Sequence, residues 1–329
     1  MRGALRSRWL QAIGSLVVSV VFGWLALRGL ELDEVADALR DADYAWVVPA
    51  VAAMLASAWM KAERWRCIFP PPRPPLRATW WSLQIGYLLN SVLPLRAGEL
   101  GRALALAHET GIARTHGITT VVVERVFDLS ALALLLLVAL VLLPEGDLTR
   151  ELTLVSIATL IVAAALAAAA AHPGLRARGA RLVLRLPVVG GVRGRTTVRS
   201  LGLGLSALRN PRMAIVAGAW SLGSWILLGV SNWFVLQAFP IDVEWHAALF
   251  VLVVSNLALV IPASAGAIGL YEAAVRAALA AYAVPGALAL GYGIALHAVN
   301  LVPYLVLGAI GLARLGLRTR DLLASDPPG

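Results

Sequence analysis

A chain of 329 residues with 60% hydrophobic and 14% charged side chains and a mean hydropathy of +0.79 excludes an ordinary soluble domain, which carries roughly 25% charged residues. Its formal charge of +9 is almost all arginine, with Lys61 the sole lysine; those arginines flank apolar runs, a pattern that reports membrane orientation rather than nucleic-acid binding. The single Cys67 excludes an internal disulfide and leaves the redox compartment unread.

The first apolar span runs from Trp9 to Gly29 behind Arg2, Arg6 and Arg8. It is long for a signal peptide and no small-residue cleavage site follows, so it reads as an uncleaved span. Glu31–Asp43 is acidic, with Leu32, Val35, Ala36 and Leu39 at helical spacing, which predicts a short amphipathic helix at the interface. The second span covers Tyr44–Met60 and is closed by Lys61, Arg64 and Arg66. Pro70, Pro71, Pro72, Pro74 and Pro75 then break any helix.

Next comes a broken segment, about 78–112, centred on N-S-V-L-P-L-R-A-G-E-L-G-R from Asn90 to Arg102. A third span (Gly117–Leu143) and a fourth (Glu151–Ala171) follow, then an arginine-rich stretch, 172–212, with Val198, Leu201, Leu205 and Leu208 at helical spacing. A fifth span (Met213–Phe239), a second broken segment (about 246–283), a last span (Ala287–Leu312) and a loose tail (316–329) complete the chain. The second broken segment repeats the skeleton P-x-x-x-G-x-x-G of the first, with Pro262, Gly266 and Gly269 standing 168 positions after Pro94, Gly98 and Gly101 (94 to 262).

If each broken segment enters and leaves on one side, 23 of the 28 lysines and arginines share a face. Arg28, Arg40 and Arg150 lie opposite, and Arg125 and Arg276 fall inside spans. The positive-inside rule then makes both termini cytoplasmic. The fold class expected is an all-α polytopic membrane protein with six transmembrane helices and two re-entrant helical hairpins. The hairpins belong to an inverted-topology repeat, 1–148 and 149–315, within one transmembrane domain. Substrate sites in such repeats lie between discontinuous helices.

Six ionisable residues crowd the first hairpin and the span after it: Arg96, Glu99, Arg102, Glu124, Arg125 and Asp128. Facing lipid unpaired, each would cost about 2.5 to 3.5 kcal/mol, so they must pair or line a polar cavity. Spacings of three and four residues place Glu99 with Arg102, and Glu124 and Arg125 with Asp128, on shared helix faces. For Glu124, Arg125 and Asp128 a purely structural network and a functional one stay equally open. Arg96 and Arg102 flank Gly98 and Gly101 where a half-helix starts, and a helix start with two forked guanidinium groups suits a phosphate. In the second hairpin Glu272 and Arg276 are placed for a local ion pair, with Glu272 facing an amine or carrying a proton as the alternative. Asn256, His297 and Asn300 are candidate cavity-lining groups or helix–helix hydrogen bonds.

The motifs V-L-P-L-R-A-G-E-L-G-R (Val92–Arg102), V-E-R-V-F-D (Val123–Asp128) and I-P-A-S-A-G-A-I-G-L-Y-E (Ile261–Glu272) resemble the flippase-like transmembrane domain of lysylphosphatidylglycerol synthases, as in bifunctional MprF proteins. The resemblance spans nearly the whole chain. By position it carries over to Pro94, Arg96, Gly98, Glu99, Arg102, Glu124, Arg125, Asp128, Pro262, Gly266, Gly269 and Glu272. Two departures stand out: Ser264-Ala265-Gly266 replaces a frequent P-G-G, and the arginine frequent near His297 is missing. No stretch reads as the aminoacyltransferase domain of the bifunctional relatives. The resemblance implies a bacterial or archaeal plasma-membrane protein that handles a polar lipid.

The expected function is a lipid flippase, its headgroup entering between the two hairpins. Asn90, Arg96, Glu99, Arg102, Glu124, Arg125, Asp128, Glu272 and His297 would meet the substrate. Expected partners are membrane lipids, either an anionic phospholipid or a polyprenyl-phosphate-linked substrate, with an enzyme partner and a second copy of the chain left open. No nucleotide loop of the form G-x-x-x-x-G-K-[ST], no H-E-x-x-H and no G-x-S-x-G occurs, and the histidines lack metal-ligand spacing. No cofactor, metal or intramembrane catalysis is therefore expected. The alternative class is a non-transporting membrane partner of a glycosyltransferase or lipid-modifying enzyme.

Overall fold

The computed structural model describes residues 2–93, 98–142, 147–172, 174, 210–259, 261 and 265–317. Among them every regular element is helical. In chain order these are α1 (Arg2–Leu27), α2 (Leu32–Arg40), α3 (Val47–Ile68), α4 (Leu76–Val92), α5 (Gly98–Thr110), α6 (Arg114–Val141), α7 (Asp147–Ala171), α8 (Pro211–Gln237), α9 (Trp245–Ala258), α10 (Leu270–Ala280) and α11 (Gly286–Arg314). Three described helices, Tyr44–Ile68, Arg212–Gln237 and Gly286–Arg314, are long and apolar enough to cross a membrane by length and composition.

Local chemistry explains several boundaries. The amphipathic α2 buries Val35 and Ala38, and it carries Asp33 and Glu34 in its first turn and Arg40 in its last, the order its dipole favours. At the start of α8 the Asn210 side chain accepts from the backbone of Arg212 and Met213, with Pro211 in the first turn. The helix α3 differs from expectation. It does not stop at Met60 but runs to Ile68, because nothing in its sequence breaks a helix before Pro70. Lys61 and Arg64 are therefore helical residues, not loop charges, and Arg64 is only 2% exposed.

The centre of the molecule is the antiparallel pair α3 and α8. Ser57 Oγ donates to the Ser224 carbonyl (2.7 Å) and Ser231 Oγ to the Ala50 carbonyl (2.8 Å). Trp46 stacks on Phe234, and Trp59 meets Trp220 edge-on. Small residues let the backbones approach closely enough for these bonds. Around the pair, a core including Met54, Trp225, Leu236, Phe250, Leu279 and Tyr292 joins α3, α8, α9, α10 and α11.

Each broken segment is an antiparallel helix pair. Gly98 of α5 lies against Gly86 and Asn90 of α4, Gly101 against Leu89, and Arg102 against Gly86. A Cβ at Gly98 would overlap the Gly86 carbonyl, so this crossing excludes any larger residue. In the second pair Tyr282 of α10's C-terminal turn meets His246 and Phe250 of α9, while Tyr271 lies against Ser255. The break there includes the 3-10 turn Ala265–Ala267. Gly266 and Gly269 adopt φ of +71° and +87°, a region that L side chains avoid. The two breaks meet: a methyl group built on Gly266 would sit 3.6 Å from the Ser91 carbonyl at the end of α4.

The packing recurs between the halves. Contacts of α3 with α4, α4 with α5, and α5 with α6 are matched by α8 with α9, α9 with α10, and α10 with α11. Contacts of α4 with α11 and α3 with α11 are matched by α9 with α6 and α8 with α6.

Candidate functional site

Two arginines from different helices converge on α6. Arg64 reaches from α3, its Nη2 donating to Glu124 Oε2 (2.9 Å) and its Nη1 to Ser221 Oγ (3.0 Å) and Asp128 Oδ1. Arg102 reaches from α5 and forks onto the same glutamate, Nη1 to Oε2 (3.0 Å) and Nη2 to Oε1 (2.8 Å). Its guanidinium lies 4.7 Å from the Trp65 ring centre, and Trp65 Nε1 in turn donates to Thr120 Oγ1 (2.7 Å). Trp225 Nε1 donates to Asp128 Oδ1 (2.9 Å). Every one of these charges is buried, and each is paired, as a low-dielectric interior requires.

Beside the network stand two more open cations. Lys61, one turn before Arg64, holds its ammonium 4.2 Å from the Trp225 ring centre. Arg125 is 48% exposed in its side chain and pairs with Glu99, its Asp128 contact being a loose 4.0 Å. Counted formally, Lys61, Arg64, Arg102 and Arg125 face Glu99, Glu124 and Asp128, four cations against three carboxylates. The set suits one further anion. Elsewhere on α4 and α8, the buried amides of Gln84 and Asn232 have no hydrogen-bond partner among the described residues.

Of the residues expected from sequence, the structure joins Glu99, Arg102, Glu124, Arg125 and Asp128 directly or through Arg64. Arg96, with Pro94, lies outside the described residues, as does Pro262. Asn90 spans the first break: its Oδ1 accepts from the Gly98 backbone N–H (2.9 Å) and satisfies the exposed start of α5. Glu272 turns away from Arg276. Its Oε1 is 2.6 Å from His297 Nδ1, and its Oε2 accepts from the Gly269 N–H (2.7 Å). Arg276 instead donates to the carbonyls of Leu25, Ala26 and Arg28, where the C-terminus of α1 leaves acceptors unfilled. Asn256 and Asn300 bond back to Leu252 and Leu296 one turn earlier on their own helices. Among the described residues no group of histidine, cysteine and carboxylates is placed to hold a metal ion. Sequence reasoning missed Arg64 and Lys61. The available signal was the unbroken helix pattern from Met60 to Ile68, which puts Ser57, Lys61, Arg64 and Ile68 on one face.

Comparison with known proteins fits this frame. The family described as the lysylphosphatidylglycerol synthase TM region matches residues 12–308. A protein of Haloferax volcanii named glycosyltransferase AglD is 30% identical over 89% of this chain and 53% of its own length. A Methanothermobacter thermautotrophicus protein named UPF0104 membrane protein is 24% identical over 74% of this chain and 76% of its own. The chain thus spans about half the length of the first relative.

Proposed function

Because the chain belongs to the lysylphosphatidylglycerol synthase TM region family, we propose that it is a lipid translocase, carrying a phosphate-bearing lipid headgroup between leaflets through the polar space where its two hairpins meet. The observation that carries this reading is the Arg102–Glu124 fork. It is a bidentate site at the start of a half-helix, and a phosphate of similar shape can take it over from the carboxylate. Lys61 and Arg125 supply the outlying positive charge, with Arg96 as a further phosphate partner, and the acyl tails stay in lipid.

The topology of this reading has six crossings, α1, α3, α6, α7, α8 and α11, with α4–α5 and α9–α10 re-entrant. Element lengths support it. At 1.5 Å per residue α5 is about 20 Å long and α10 about 16 Å, short of the roughly 30 Å hydrocarbon core. The ends of α3 and α8 point opposite ways, and each leads directly into its hairpin, which supports entry of the two hairpins from opposite faces. The recurring contacts support repeats at 1–148 and 149–315, with both termini cytoplasmic in a bacterial or archaeal plasma membrane.

The test is reconstitution. Fluorescently labelled phosphatidylglycerol should cross vesicles carrying the wild type about tenfold faster or more than vesicles carrying Arg96→Ala/Arg102→Ala, the loss expected for charged hydrogen bonds. Equal rates overturn the mechanism. A second reading comes from the relative named a glycosyltransferase, in which the chain is a membrane partner of a sugar-transferring enzyme. Co-purification of transferase activity that survives the arginine substitutions would favour it.

A further inference from the structure

We infer that Glu272 and His297 form a proton-carrying site that couples lipid movement to a proton gradient. The inference rests on the translocase reading and on a difference between the halves. Under the offset of 168 residues (94 to 262), Arg64 and Glu124 correspond to Asn232 and Tyr292. Those two residues are also bonded, Tyr292 OH donating to the Asn232 carbonyl (3.2 Å). The frame is thus kept while the ionic network is lost. In the same register Glu272 and His297 correspond to Leu104 and Leu129. At those positions the first half carries leucines, Leu104 partly buried and Leu129 42% exposed, where the second half carries a carboxylate and an imidazole in contact. The fold does not need a polar pair there, so the second half holds it for another reason.

The chemistry of the pair is that of a proton site. His297 Nδ1 lies 2.6 Å from Glu272 Oε1; with the carboxylate as acceptor, Nδ1 carries the hydrogen and Nε2 is left to gain or lose a proton. Uptake at Nε2 takes the pair from a net charge of minus one to zero, and release on the far side restores it. The described residues around the pair are mostly uncharged. From α10 come Tyr271, against the imidazole at 4.6 Å between ring centres, and Arg276, committed to the end of α1. From α9 comes Ser255, from α1 the backbone at Ser19 and Gly23 beside Gly269, and from α11 Asn300 and Tyr304. Among the described residues, His297 is the side chain within hydrogen-bond distance of Glu272.

The pair also touches the second break. Glu272 Oε2 holds the Gly269 N–H at the break of the second hairpin, so a change in its hydrogen bond to His297 is felt where α10 begins. His297, Asn300 and Tyr304 share a face of α11 at helical spacing. Tyr304 stacks at 4.1 Å on Tyr87 of α4, and Tyr87 lies in the field of Arg64, Arg102, Glu124 and Asp128. Tyr304 and Tyr87 thus carry the contact from α11 to α4, the helix whose Gly86 packs on Arg102.

The test uses the full chain in vesicles of phosphatidylethanolamine and phosphatidylglycerol with a trace of labelled phosphatidylglycerol. With one proton per lipid, one pH unit across the wild-type vesicle should drive the label toward about tenfold asymmetry between leaflets. Glu272→Gln and His297→Gln should lose the asymmetry that the gradient drives in the wild type. Gradient-independent distribution in the wild type overturns this inference and leaves the translocase reading standing. If no lipid moves in any preparation, the translocase reading fails and proton binding is judged separately by ¹⁵N NMR of histidine-labelled protein. The His297 Nε2 resonance, assigned by its loss in His297→Gln, should respond to added acid, and a resonance that stays constant overturns the proton site.

Discussion

Glu124 accepts from two guanidinium groups at once, and its worth is best judged by taking one of them away. Arg64→Ala leaves Glu124 and Asp128 buried with part of their compensation gone, at an expected cost of about 3 to 5 kcal/mol. Arg125→Ala removes a half-exposed partner of Glu99 and should cost under about 1 kcal/mol. Thermal unfolding of both variants in detergent checks the contrast, and equal shifts in midpoint would contradict the burial argument. The same residues show what sequence could reveal. Arg102, Glu124, Arg125 and Asp128 stood out because a charge amid apolar residues must be paired. Arg64 carried an identical cost but sat at the expected end of a span, where an arginine also reads as an interfacial anchor. The Glu272–His297 bond was illegible for another reason: it joins residues 25 positions apart on separate helices, while the local partner Arg276 looked sufficient.

At the scale of elements, the breaks were readable as Pro and Gly punctuation, but their role in packing was not. Gly269 shows the difference. At φ +87° a side chain is strained, and a Cβ there would stand 2.5 Å from the Ser19 carbonyl and 2.8 Å from the Gly23 nitrogen. Gly29 has a similar φ of +74° with nothing within 4 Å. Gly29→Ala should therefore cost only the backbone strain, about 1 to 2 kcal/mol. Gly269→Ala must in addition push α10 away from α1, and a backbone neighbour cannot rotate aside as a side chain can. A larger loss of unfolding midpoint in Gly269→Ala, with faster proteolysis at the second break, is the expected result. Similar losses would mean that α1 yields easily, and the second hairpin would then not be anchored by that contact. The end of α3 was misplaced from sequence for a related reason: the charges after Met60 outweighed the absence of any helix breaker before Pro70.

For the whole molecule, the two breaks meeting at Ser91 and Gly266 constrain how the chain can sit in a membrane. If α3 and α8 both cross and are antiparallel, the chain leaves them on opposite sides, and each hairpin must start from the side where its helix ends. In the proposed orientation Glu109 at the base of the first hairpin is cytoplasmic and Asp41 after α2 external. Both positions are exposed. Single cysteines at Asp41→Cys and Glu109→Cys, in a Cys67→Ala background, should divide cleanly under a membrane-impermeant maleimide applied to intact cells. The first should label at once and the second only after permeabilisation. The reverse pattern would invert the orientation while keeping the fold. Labelling of both from outside would break the link between α3 and the first hairpin, and with it the requirement that the hairpins approach from opposite faces. A companion pair, Ser91→Cys with Ala267→Cys, should cross-link through a short bifunctional reagent, because the 265–267 turn packs on α4. A cross-linked protein that still moves lipid at the wild-type rate would show that the meeting point of the hairpins does not open during transport.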